Sequence, residues 1–147
     1  QESRGLGDVY KRQLTAQRLR MDVISENVAN ANTTRTEDGT PYRRKIVTFQ
    51  QKGQQQTFSQ VLHNVSSSYT GSGVKVSKIS EDITTEMNMV YDPSHPDADE
   101  NGYVTYPNVN IVQEMTDLID ASRSYEANST AFGASKSMAL KGLEIGQ

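Results

Sequence analysis

The sequence predicts an α+β chain. Long N- and C-terminal helices pair as a coiled coil, and a small β-rich domain sits between them. Three observations carry this: a seven-residue apolar repeat near the N-terminus, a longer one over the last 40 residues, and short alternating runs separated by turns in the middle. About one fifth of the 147 residues are Leu, Ile, Val or Phe, which places the chain at the edge of the range able to hold a core of its own. The expectation is a thin core, with stability borrowed from neighbours.

Residues 1–13 carry no apolar period and read as an atypical or disordered segment. From 14 to 34 the pattern becomes helical. Leu14, Met21 and Val28 recur every seven residues, with Ile24 and Ala31 three after two of them. Gln17 interrupts the seam. So short a repeat needs a partner to be stable. The helix is expected to stop near Asn32-Thr33-Thr34, where short hydrogen-bonding side chains compete with the backbone.

Residues 35–106 form the expected β-rich domain. Glu37 to Pro41 is a turn signal, with Gly39 available for positive φ. Strands are expected at Tyr42–Phe49, around Val74, Val76 and Ile79, near Met87, Met89 and Tyr91, and at Tyr103–Tyr106. A Gln- and Ser-rich insert near 50–72 reads as flexible, because it can bury too little apolar area to offset chain entropy.

Residues 107–147 hold the clearest element, a helix from about Asn110 to Leu143. Ile111, Leu118, Tyr125, Phe132 and Ala139 repeat every seven residues, with Met115 and Leu143 flanking that line. Between them Ala121, Ser122, Asn128 and Ser129 are small enough for another helix to approach closely. The proposed seam sets Leu14, Met21, Ile24 and Val28 against this line, with Asn27, Asn30, Asn128, Ser122 and Ser129 bonding between subunits.

Candidate chemistry is sparse. Fifteen Lys and Arg against 18 Asp and Glu leave a net charge of −3, so there is no electrostatic footprint for nucleic acid. The absence of Cys removes disulfides, thiolate nucleophiles and cysteine metal sites. No apolar run is long enough to cross a bilayer, and the N-terminus lacks the apolar stretch of a cleavable signal peptide. Asp97-x-Asp99-x-Asn101-Gly102 has the spacing that opens an EF-hand loop. Position 12 is Asn108, which cannot act as the bidentate carboxylate. A Ca²⁺-binding extracytoplasmic interaction module is therefore the alternative reading, and a solvated turn the preferred one. His95 reads as a turn residue packed on a Tyr, and His63 lies far from it in sequence. Arg43-Arg44-Lys45 reads as charge guarding an edge strand, or as contact with an acidic partner surface or phosphate. No nucleophile stands with a base and no paired-carboxylate motif for glycan cleavage occurs, so neither an enzyme nor a cofactor is expected.

The two ends are specific. The run Leu14 to Thr34, with Asn27, Ala29, Asn30 and Thr33, resembles the N-terminal signature of the axial rod and hook proteins of the bacterial flagellum. Asp38 to Arg44, Asp92 to Pro96, Gly102-Tyr103-Val104, Pro107 to Asn110, and the stretches from Met115 onward are similar to the proximal-rod members of that family. Residues 1–13 depart from the small and apolar residues that lead into this helix in the family. The resemblance implies a structural rod subunit that self-assembles through its terminal helices into a hollow drive shaft. That shaft would transmit torque and conduct exported subunits. The implied partners are copies of itself, the proximal-rod, distal-rod and rod-base adaptor subunits, and the flagellar type III export apparatus, with neither nucleic acid nor membrane insertion. The implied location is the basal-body rod across the periplasm, reached without a cleaved signal peptide.

Overall fold

A computed structural model describes residues 2–51 and 74–146. Two long helices and two antiparallel β-ribbons follow in the order α1 (Glu2–Ala29), β1 (Lys45–Gln51), β2 (Val74–Glu81), β3 (Asn88–Tyr91), β4 (Tyr103–Tyr106) and α2 (Ile111–Ile145). The class is α+β, as expected. The insert near 50–72 lies outside the described residues apart from Gln50 and Gln51, which close β1. His63 lies outside them as well.

Helix α1 starts far earlier than its apolar repeat. Residues 2–13, which the sequence marks as atypical or disordered, are helical. Once a helix is nucleated, each added residue gains a backbone hydrogen bond, so a weak sequence can extend a strong one. Packing assists: a Cβ built on Gly7 would stand 3.7 Å from the Phe132 ring on α2. At its other end α1 stops at Ala29, short of the expected Thr34. There Asn30 donates from Nδ2 to the Glu26 carbonyl at 2.9 Å and accepts from Thr33 Oγ1 at 3.1 Å. The Tyr42 N–H then reaches the Thr33 carbonyl. The side chains of Asn30 and Thr33 thus end the helix and turn the chain toward the ribbon.

Helix α2 begins where expected. Asn110, in extended conformation, caps it by accepting from the Gln113 N–H. Its 35 residues span about 52 Å. The helices lie side by side and antiparallel. Gly7 meets Phe132, Ala16 and Gln17 share a gap with Ser124 and Ala127, and Asn27 meets Glu114. Small residues make this approach possible: Ala16 and Ala121 are buried along with Val23 and Ile24.

Ribbon β1–β2 pairs Lys45 with Glu81 and Gln51 with Val74, with an irregularity between Thr48 and Phe49. It packs on α1. Ribbon β3–β4 pairs Asn88 with Tyr106 and Tyr91 with Tyr103. The two ribbons do not join into one sheet. Between β3 and β4, Gly102 takes φ +84°, and a Cβ there would stand 2.9 Å from the Tyr91 ring and 3.1 Å from Pro93. Val104 is fully buried, and Ala31, Tyr42 and Val109 form a small apolar cluster where α1, the ribbon root and the entry to α2 meet. Neither described helix is long and apolar enough to cross a membrane.

Candidate assembly surface

At the root of β1–β2 lies a buried polar knot. Asn27 is 1% exposed and fully used. Its Oδ1 accepts from Tyr42 OH at 2.8 Å and from the Lys45 N–H at 2.9 Å. Its Nδ2 donates to the Lys45 carbonyl at 2.9 Å and to Glu114 Oε2 at 3.3 Å. Glu114, also 1% exposed, accepts from Arg44 Nε through its other oxygen. Arg44 Nη1 reaches Asp82 Oδ2 at 3.3 Å. Asn108 closes the ring: it accepts from the Arg44 N–H and donates to the carbonyls of Asp82 and Thr85. Lys45 pairs with Glu26 on α1.

The electrostatics follow from this packing. The Thr85 hydroxyl and N–H, helped by Thr84, hold the Asp82 carboxyl far below its ordinary value. Burial alone would lower Arg44, but its hydrogen bonds to Glu114 and Asp82 outweigh that and raise it. Burial, then the charges of Glu26, Glu114 and Glu81, push the Tyr42 phenol up.

Three expectations change here. The sequence sets Asn27 between subunits, but its four bonds are all internal. Asn30 is likewise spent on the end of α1. Arg44 and Lys45, read as edge charges or partner contacts, sit in ion pairs with Asp82, Glu114 and Glu26. Asp82 and Glu114 have no part in the sequence reading, and Asn108 enters it only as position 12 of the EF-hand-like loop and within the Pro107 to Asn110 run. Signals for two of them exist. Asp82-Ile83-Thr84-Thr85 has the form of an Asx turn. Glu114 precedes Leu118, Ala121 and Tyr125 on one helical face, a carboxylate at the head of an apolar stripe.

The expected seam is divided. Ile24 is buried; Leu14, Met21, Val28, Leu118, Tyr125 and Phe132 are half-buried; Ile111, Met115 and Leu143 are exposed. The Ala139 side chain lies outside the described ones. The face that α1 gives to the rest of the chain runs through Ala16, Val23, Ile24 and Asn27, rotated from the Leu14–Met21–Val28 line. That rotation leaves the repeat residues at the margin of the helix pair. The Gln17 side-chain oxygen is buried there with no partner among the described residues.

Apolar surface is left open on one side. Val112 is 76%, Ile119 54% and Met89 60% exposed, with Ile111 and Met115 close to half. An open groove of 620 Å³ lies among Ala31, Met89, Val90, Tyr106, Val109 and Ile111. The EF-hand-like loop is built as a turn. Asp99 accepts from the N–H groups of Asn101 and Tyr103, while Asp97 accepts from the Thr34 hydroxyl and faces Arg35. Among the described residues, no three of His, Cys, Asp and Glu gather into a metal-sized group. The His95 ring stands edge-on to Tyr106, 6.2 Å between centroids.

Comparison with known proteins places these features. Residues 13–35 match the family described as "Flagella basal body rod protein", and residues 100–145 match "Flagellar basal body rod FlgEFG protein C-terminal". Relatives named "Flagellar basal-body rod protein FlgC" include those of Bacillus subtilis, 52% identical over 91% of both chains, and Borreliella burgdorferi, 47% over 90% of both. That of Salmonella typhimurium is 41% identical over 95% of both. With identity at this level over nearly the whole chain, and with the Asn27–Thr33 helix end and the capped C-terminal helix in place, this chain belongs to the FlgC family of flagellar basal-body rod proteins.

Proposed function

We propose that this chain is a structural subunit of the flagellar basal-body rod, joined to copies of itself and to other rod subunits through its terminal helices. The observation that carries the mode of assembly is the apolar stripe Ile111, Val112, Met115 and Ile119 on α2, open to solvent beside the exposed Met89 and Val90. An exposed contiguous apolar surface of this kind marks a protein interface. Burying each such side chain contributes about 1.5–3 kcal/mol, and that gain is realised only when a neighbour covers it. Half-buried Leu14, Met21, Val28, Leu118, Tyr125 and Phe132 extend this surface along the helix pair, with Leu143 at its far end, and the two helices act as a coiled coil within the tube. Contacts of this sort are head-to-tail, as a helical tube requires. Residues 35–106 form the outer unit, and the function is mechanical: stiffness for torque around a central export channel. The rod spans the periplasm, and the subunit passes through the type III export apparatus.

Deleting the gene in its host should abolish motility and stall the basal body before the hook, with rescue by the wild-type chain. Met115→Asp should leave folding unchanged, since Met115 is exposed, yet fail to enter basal bodies. Motile deletants would sink the rod reading. Normal incorporation of the Met115 variant would remove this stripe from the interface.

A further inference from the structure

The polar knot has a role that its residues' separate bonds do not state. Arg44 and Lys45 are the root of β1, and both helices hold that root at once. Asn27 on α1 takes both the N–H and the carbonyl of Lys45, while Glu114 on α2 takes the Arg44 side chain and an Asn27 N–H. Asp82, at the end of β2, takes the other arm of Arg44, and its own N–H bonds the Arg44 carbonyl. A gap of about 160 Å³ lies beside the knot, between Ile24, Ile46 and Val47 and the knot's own Asn27, Arg44 and Glu114. Hydrophobic burial is non-directional, whereas the forked guanidinium and the amide of Asn27 each accept a single arrangement of partners.

We infer that this knot is an orientation lock, which sets the direction of the β1–β2 ribbon relative to the helices by drawing on both of them. Asn27 and Glu26 hold the root from α1 and Glu114 holds it from α2, so the root is fixed from two sides. The inference concerns the single chain and stands apart from the rod reading.

The chain lacks Cys, so two nitroxide labels can be placed cleanly, by Lys78→Cys on β2 and Asp120→Cys on α2, both exposed positions. Pulsed electron–electron resonance on the full chain should give one narrow distance peak. Arg44→Lys keeps the charge but loses the fork. Arg44→Met combined with Glu114→Met removes the ion pair between the root and α2 without stranding Glu114, while Asp82 keeps its bonds from Thr84 and Thr85. Both should keep the helical circular dichroism and lose the single narrow peak. A peak as narrow as wild type in either folded variant overturns the lock. So does loss of helical signal in Arg44→Lys, since the knot would then hold the helices themselves rather than the ribbon's direction. Failure of the wild-type chain to restore motility would count against the rod reading and leave the distance result untouched.

Discussion

Replacing Asn27 with alanine removes all four bonds made by one buried amide. A net hydrogen bond contributes about 1 kcal/mol, and a buried partner left unmet costs about 1–3 kcal/mol. Tyr42 OH, the Lys45 N–H and carbonyl, and Glu114 Oε2 each lose a partner. Lys45 is partly exposed, so water can meet some of the loss. The expected destabilisation is about 3–4 kcal/mol, a large share of the roughly 5–15 kcal/mol that holds a typical domain folded. Urea titration of the purified chain, followed by far-ultraviolet circular dichroism, reads it directly. Asn27→Asp is the informative companion. It keeps the acceptor for Tyr42 and Lys45 but sets a second carboxylate against Glu114, so its loss should be at least as large. An alanine variant within about 1 kcal/mol of wild type would show that the amide is not what closes the knot.

The other predictions concern the hairpin and the pH limbs. Gly102→Ala should destabilise the β3–β4 ribbon by about 2 kcal/mol or more, because a left-handed backbone costs an L-residue about 1–2 kcal/mol and the new Cβ meets Tyr91 and Pro93; amide exchange at Val90 and Val104 should speed up, and unchanged exchange would contradict the strain. Asp82 is held below its ordinary value of 3.8, so its contribution is complete above about pH 4 and drains away as pH falls toward the folded value; Asp82→Asn should flatten the acid limb of a stability–pH curve. Tyr42 is raised above its ordinary 10.0, so stability is unaffected below that value and falls as pH rises through it. Tyr42→Phe should lose the Asn27 bond at neutral pH, yet show a shallower alkaline decline than wild type. A decline equally steep would assign it to another group.

The class, the place of α2, the short strand at Tyr103–Tyr106 and the family signature at the end of α1 are all legible along the chain. These rest on local rules: a repeat of seven, an alternation of two, a capping Asn, and Asn30 and Thr33 turning the chain within a few residues. Three features emerge only from packing. One is the reach of α1 to Glu2, where packing against α2 carries a stretch with no apolar period of its own. Another is the buried face of α1, which passes through Ala16, Val23 and Asn27 and takes in Ile24 alone of the expected seam on that helix, because the docking of α2 and the ribbon, not the repeat, sets the rotation of the helix. The last is the knot. Asn27 and Glu114 are 87 positions apart, and periodicity reports which face of a helix is apolar but not which polar side chains will meet across it. Such pairing depends on where two helices and a ribbon converge, and that convergence is fixed only once all three are packed.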